Sequence, residues 1–292
     1  MGVRGLYKLI SEIVGVRRVK LKDMRGWRIG IDANLHIYRW HSIKILNADG
    51  RPINHLQGAF FSTVKMLMAG ITPVYIFDGV PPMEKAATIE ARQAARAAGK
   101  SVGVSQDIIE ETKQLLRLMG VQVIQAPGEA EAQAAYLAKL GKLDAVYTND
   151  IDALIFGAPR VIMCEDRLLT THEILDKLGL TSAQLVDLAI LCGCDYTGRV
   201  EGYGPKRALA FIRSGRDLSE FDNVKGFDYK AARRAYLTPN VADFDIMQPR
   251  RLTAEDIDII CNFLMDRGFS RGRIMRTLGR LSQAGQAGRD ST

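Results

Sequence analysis

Trp27-Arg28-Ile29-Gly30-Ile31-Asp32 and Pro73-Val74-Tyr75-Ile76-Phe77-Asp78 are the stretches whose reading decides the fold. Each is a short apolar run, rich in β-branched or aromatic residues, that stops at an aspartate. Such runs read as strands, over Trp27–Ala33 and Pro73–Phe77. Working outward, Val121–Gln125, Ala145–Thr148 and Arg160–Met163 have the same character. Helical patterns lie between most of them, over Leu56–Ala69, Gln106–Met119 and Glu129–Leu140. The alternation predicts an α/β arrangement, a central, mainly parallel sheet flanked by helices. From Thr181 onward the pattern turns helical, over Thr181–Leu191, Ala208–Arg213, Tyr229–Leu237, Ala254–Arg267 and Ser270–Ala284. Thr181 or Ser182 is placed to cap the first of these. The expected organisation is a sheet region over 1–180, a helical region over 181–284 and a frayed tail over 285–292.

The chain has 292 residues, of which 47% are hydrophobic and 25% charged. That excludes disordered, collagen-like and disulfide-stapled classes. No apolar run approaches the ~18 residues of a membrane span, and the N-terminus lacks a secretory apolar region. The net charge of +7 suits a polyanionic partner. Cys164, Cys192, Cys194 and Cys261 form no CxxC pair and read as free thiols of a reducing compartment. An intracellular protein is expected, nuclear if the host is eukaryotic. The segment 83–104 is rich in Ala, Arg, Lys and Gln, with Lys85, Arg92, Arg96 and Lys100 at spacings that give a helix a basic stripe. It reads as a projecting, mobile segment with little core face. Two further basic clusters, Arg4 to Lys22 and Arg267 to Arg280, suit phosphate contacts that carry no sequence information.

The acids are the informative feature. The first strand ends at Asp32 and the second at Asp78. The third is followed by Glu129 and Glu131, and the fourth by Asp150 and Asp152. In open parallel sheets, ligands bind outside the carboxyl ends of the strands, so these six carboxylates should share one edge. Asp195 follows an apolar helix and makes a seventh. A lone acid at a strand end is ordinarily a turn or cap, and Glu129 or Glu131 alone would suit a helix N-terminus. Four successive strands leading into acids need another account. Clustered carboxylates must protonate or find a cation. An all-oxygen donor set selects a hard one, Mg²⁺ or Mn²⁺. Seven acids are enough for two metals, the arrangement that hydrolyses phosphodiesters in line.

At these residues the chain resembles the flap endonuclease-1 family of structure-specific 5′ nucleases, in the xeroderma-group-G-type, PIN-like superfamily. The matching stretches are Met1-Gly2-Val3-Arg4-Gly5-Leu6, Ile31-Asp32-Ala33, His55-Leu56-Gln57-Gly58 and Gly70 through Gly79. Further on come Ala126-Pro127-Gly128-Glu129-Ala130-Glu131-Ala132, Thr148-Asn149-Asp150-Ile151-Asp152, Leu191-Cys192-Gly193-Cys194-Asp195-Tyr196 and Gly202-Tyr203-Gly204-Pro205-Lys206-Arg207-Ala208. They cover most of residues 1–213, in family order. The resemblance implies a PIN-like nuclease region over 1–180 with a gateway over 83–104. It implies a helix–two-turn–helix DNA-binding element in the region 181–284.

It further implies that Asp32, Asp78, Glu129 and Glu131 hold one metal and Asp150, Asp152 and Asp195 a second. Lys85 and Arg92 would be the gateway's catalytic basic pair. Tyr38 would stack on a base, Gly193 would bring backbone to the DNA, and Gly2, Glu129 and Asp195 would lie against it. The Gly202-x-Gly204 turn, with Lys206 and Arg207, would grip duplex phosphate, with a K⁺ ion at the turn. The implied activity is 5′ flap endonuclease with 5′→3′ exonuclease, leaving a 5′ phosphate, in replication and repair, and the implied assembly a monomer on DNA. The gateway and the loop after Tyr38 are shorter than the family's, no residue matches its arginine near Lys44, and the sliding-clamp peptide is not seen. The competing readings are an exonuclease-1-like resection enzyme, a PIN-like ribonuclease and a non-catalytic junction-binding protein.

Overall fold

In the computed structural model, residues 3–43, 45–98, 103–163 and 166–287 are described. Seven strands form one sheet: β1 Arg17–Arg18, β2 Arg28–Asp32, β3 Thr72–Phe77, β4 Gln122–Gln125, β5 Ala145–Tyr147, β6 Arg160–Met163 and β7 Arg167–Thr170. Their order is β1-β7-β6-β5-β2-β3-β4. The run from β6 through β5, β2 and β3 to β4 is parallel, and β7 and β1 add an antiparallel edge. The sheet is therefore mainly parallel, as the alternation predicts. The two strands the sequence does not announce are the edge pair. β1 is two exposed arginines, and β7 turns straight back from β6 with only Leu168 and Leu169 buried, too short a run to stand out.

The pleat of β3 decides what lies on each face. Val74 and Ile76 point into one core, and Tyr75 and Phe77 into the other. On β2, Ile29 and Ile31 join the second core. Gly30 turns to the first, where a Cβ would come within 2.6 Å of Leu143 Cδ1. The first core is closed by helices Leu6–Val14, Ala130–Lys139, Thr171–Leu178, Ser182–Cys192, Pro205–Arg213 and Tyr229–Leu237. The second is closed by Ala33–His41, Asn54–Met68, Gln106–Leu118, Ala254–Met265 and Arg271–Ala287.

The core runs across residue 180, since Val74 and Tyr236 belong to one cluster. The non-helical stretch 239–253 passes along the sheet and is tied down by hydrogen bonds from Gln133 to Ala242, Gln122 to Asp245 and Arg250 N to Gly120 O.

Thr181 caps its helix in a reciprocal box with Gln184, as expected from its hydroxyl. Helices Leu6–Val14, Ala33–His41 and Thr171–Leu178 were not legible as periodic segments. The second carries two histidines, an asparagine and an arginine among its nine residues, which blurs any apolar stripe. The segment read as a gateway begins as a 3-10 turn, Met83–Lys85, and continues as the helix Ala86–Ala97. It is not a purely solvated stripe, because Lys85 is buried. Arg96 as a side chain and Lys100 lie outside the described residues, as do Gly2, Lys44, Cys164 and the tail from 288. Among the described residues no helix is long and apolar enough to cross a membrane.

Candidate metal centre

The carboxyl ends of β2, β3 and β5, and the segment following β4, open onto one cavity of about 240 Å³. Asp32, Asp78, Glu129, Glu131, Asp150 and Asp195 line it together with Tyr38, Lys85 and Arg92. Asp152 lies just behind. One oxygen each from Glu131, Asp150 and Asp152 falls within a 4.8 Å group. All seven acids predicted from the sequence are therefore brought to this one edge.

Each carboxylate is aimed by a local device. Asp32 ends β2 and caps the helix Ala33–His41, accepting from Leu35 N at 3.1 Å. Its other oxygen accepts from Thr148 Oγ1 at 3.2 Å. Thr148 in turn accepts from Asp150 N at 3.1 Å, and Asp150 Oδ1 from Asp152 N at 3.2 Å. Asp78 sits at the mouth and accepts from Ala130 N at 2.8 Å, at the start of helix Ala130–Lys139. Glu129 accepts from Tyr196 OH at 2.5 Å and from Lys85 Nζ. Tyr236 OH donates to Asp152 Oδ1 at 3.3 Å, while Asp152 Oδ2 is buried with no partner. Asp195 follows Gly193, whose φ of 99° turns the chain back toward the sheet. Sequence reasoning missed Thr148, Tyr196 and Tyr236. The first two lie inside quoted motifs. Tyr236 has no signal, because only folding brings it to Asp152.

Two cations from the gateway reach in. Lys85 Nζ pairs with Glu129, lies 3.8 Å from Asp195 Oδ2 and 4.0 Å from Glu131 Oε1. Arg92 Nη2 donates to Asp195 Oδ2 at 2.6 Å, and Thr88 Oγ1 to the Asp195 carbonyl at 2.9 Å.

The electrostatics follow from crowding. Burial, and then Asp78, push Asp32 up to about 7. Burial raises Asp78 and Asp150, although Ala130 N–H and Lys85 pull Asp78 down, and Asp152 N–H pulls down Asp150. Asp78 keeps an open side to solvent yet is hemmed in on the rest. Glu131 and Asp152 are pushed well above the usual carboxylate range, first by burial and then by Asp150. Burial alone would lower Lys85, but Glu131 and Glu129 outweigh it and hold it charged. Tyr196 and Tyr236 are raised, so both stay neutral donors. Burial lifts Cys192 and Cys194 to about 12, which removes them as thiolates.

This donor set fits a divalent cation. It is all oxygen, it is over-rich in negative charge that two side-chain cations only partly offset, and it holds an orphaned carboxylate oxygen on Asp152.

The remaining predicted contacts lie elsewhere. Gly202, with φ 76°, and Gly204 precede helix Pro205–Arg213, with Gly204 at its N-cap and Pro205 in the first turn. Lys206 is exposed near Glu12, at 3.8 Å, and Arg207 stacks over Tyr203 at 4.6 Å. None of these four lines the cavity. The helices Ser182–Cys192 and Pro205–Arg213 pack against each other, with the Gly202–Gly204 turn in the connection between them. Arg267, counted with the basic cluster, is an ion-pair partner of Glu111 at 3.0 Å.

The N-terminal domain of the XPG family matches residues 1–99, and the XPG I-region matches residues 120–195. Flap endonuclease 1 of Chlamydomonas reinhardtii is 36% identical over 330 aligned positions, covering 96% of this chain and 83% of that one. The solved flap endonuclease-1 of Methanococcus jannaschii superposes with a TM-score of 0.81 at 28% identity, over 97% of this chain and 98% of its own. The catalytic core of Rad2 in complex with DNA substrate gives 0.81 at 26%, over 96% and 100%. The acidic motifs sit at one sheet edge in the fold these matches share, and the chain belongs to the flap endonuclease 1 family of XPG-type nucleases.

Proposed function

We propose that this protein is a structure-specific 5′ flap endonuclease that hydrolyses DNA phosphodiesters at single-strand/double-strand junctions, with 5′→3′ exonuclease activity. The observation that carries the reading is the convergence of seven acids on the carboxyl edge of the sheet, beside two cations from the adjoining 3-10 turn and helix. Asp32, Asp78, Glu129 and Glu131 would hold one Mg²⁺, and Asp150, Asp152 and Asp195 a second, with Mn²⁺ able to substitute. Bound there, such cations supply Lewis acidity and a water of lowered pKa.

The chain's own residues do the rest. Lys85 and Arg92 present positive charge to the scissile phosphate, where it stabilises the charge that develops on the oxygens. Tyr38, on the cavity wall, offers a ring to the base beside the cut. Tyr196 and Tyr236 orient Glu129 and Asp152 without titrating. The Gly202–Gly204 turn bares helix N–H donors to a backbone phosphate and would hold K⁺, which would add positive charge there, and Lys206 and Arg207 flank it. Gly193 and Gly2 would complete the DNA contacts, Gly2 from outside the described residues. A monomer acting inside the cell, wherever its genome is replicated or repaired, fits this chemistry.

Asp150→Ala tests the assignment. It removes a metal ligand and no phosphate contact, so cleavage of a flapped duplex should fall by at least three orders of magnitude while flap binding stays within about threefold. Near-normal turnover would refute it.

A further inference from the structure

The acids of the centre arrive on elements that the sheet does not tie together. Glu129 and Glu131 follow β4, at the sheet's edge, whereas Asp150 and Asp152 follow β5. In the order β5-β2-β3-β4 two strands lie between them, so the sheet's ladder does not fix one pair of acids against the other. Yet the pairs meet, since an oxygen of Glu131 belongs to the same 4.8 Å group as Asp150 and Asp152. The helix Ala130–Lys139 packs on the short helix Asp152–Ile155. Most of the residues it buries are alanines. They set a distance but supply no directional bond.

Direction comes from behind the acids, from a strap over residues 236–242. At its start, Tyr236 OH donates to Asp152 Oδ1 at 3.3 Å. At its end, Gln133 holds Ala242 twice: Gln133 Nε2 donates to Ala242 O at 2.7 Å, and Ala242 N donates to Gln133 Oε1 at 2.9 Å. Between these points Asn240 lies against Gly128, where a Cβ would come within 2.7 Å of Asn240 O. Gly128 immediately precedes Glu129. Gln133 is fully buried. Two residues along a helix turn a side chain by about 200°, so Gln133 faces the strap while Glu131 faces the cavity. A carboxamide that gives to and takes from the same residue's backbone admits one register only.

We infer that Gln133 is a positioning residue of the metal centre: through the strap it sets Glu129 and Glu131 against Asp152, so that both metals are held at once. The inference rests on the two-metal reading above. Hydrolysis by two metals requires the ions at one fixed, short separation. Ligands on elements that no bond connects lose that separation by small slides, which a face of alanines permits. Both side-chain hydrogen bonds of Gln133 go to Ala242. Losing them leaves each group of acids intact and loosens only the relation between the groups.

The test is calorimetric titration of Mn²⁺ into the full chain at pH 8. Gln133→Met keeps the side chain's length and removes both bonds, and Tyr236→Phe keeps the ring and removes the hydroxyl. Thr72→Val is the control for a strap that is merely loosened. It removes the hydroxyl bonded to Gln248 at 2.9 Å, further along the same non-helical stretch. The unaltered protein should take up two Mn²⁺; uptake of one would overturn this inference and the two-metal reading together. In Gln133→Met the first Mn²⁺ should bind nearly as before and the second roughly tenfold or more weakly. Tyr236→Phe should do the same, and the double variant should be no worse than the weaker single one, because both act through one strap. Thr72→Val should lower the melting temperature in EDTA and leave both Mn²⁺ affinities unchanged. With two ions bound by the unaltered protein, three results would overturn the inference alone. These are an unchanged second affinity in Gln133→Met, an equal loss in Thr72→Val, and additive losses in the double variant.

Discussion

Asp32 holds three tasks at one carboxylate. It ends a central strand, caps the helix that follows and accepts from Thr148, all while nearly excluded from water. Raising its pKa from 3.8 to about 7 penalises the ionised form by roughly 4 kcal/mol. Without a divalent cation, a group whose folded pKa is raised binds more protons folded than unfolded, so stability is highest at low pH and falls as pH rises through about 7. In EDTA the melting temperature should therefore drop by roughly 5 °C or more between pH 5 and pH 8. Added Mg²⁺ should restore it at pH 8 and do little at pH 5. A flat profile, or equal Mg²⁺ shifts at both pH values, would contradict the crowded-carboxylate account. The acids themselves were legible because each follows an apolar run and strand ends share an edge. Their donors were less so. Lys85 reads as part of an exposed stripe, yet the pull of Glu129 and Glu131 buries it.

At the scale of elements, the loop after β3 is zipped to the loop after β4. Gly79 N donates to Gly128 O at 2.7 Å and Val80 N to Pro127 O at 3.1 Å. This pairing fixes Asp78 against the start of the helix that carries Glu131. A Cβ on Gly79 would collide with the backbone carbonyls of Ala126 and Pro127. Gly79→Ala should thus cost roughly 2–4 kcal/mol and lower cleavage further by splaying Asp78 from Glu129. Chemical denaturation and a flap assay check both, and wild-type behaviour in each would mean the two loops separate freely. The buried strands were readable to within a residue or two, since their side chains alone make the pattern. The helix Ala33–His41 was not, because its polar residues serve two cavities rather than one core face.

For the whole molecule, the sequence divides near 180 into a sheet half and a helical half compatible with one compact unit, and the later helices close both faces of the sheet. Nothing in local periodicity says which face a late helix will cover; that is settled by tertiary packing, as with Tyr236 reaching Asp152. The central claim is that this packing assembles a divalent-metal nuclease for branched DNA. The most direct measurement offers a 5′-labelled double-flap DNA with Mg²⁺, alongside the same mixture in EDTA and the Asp78→Ala protein. A single cut at the flap base, lost in both controls, is the predicted result. Flap binding without cleavage by the unaltered protein, in Mg²⁺ and Mn²⁺ alike, would contradict it.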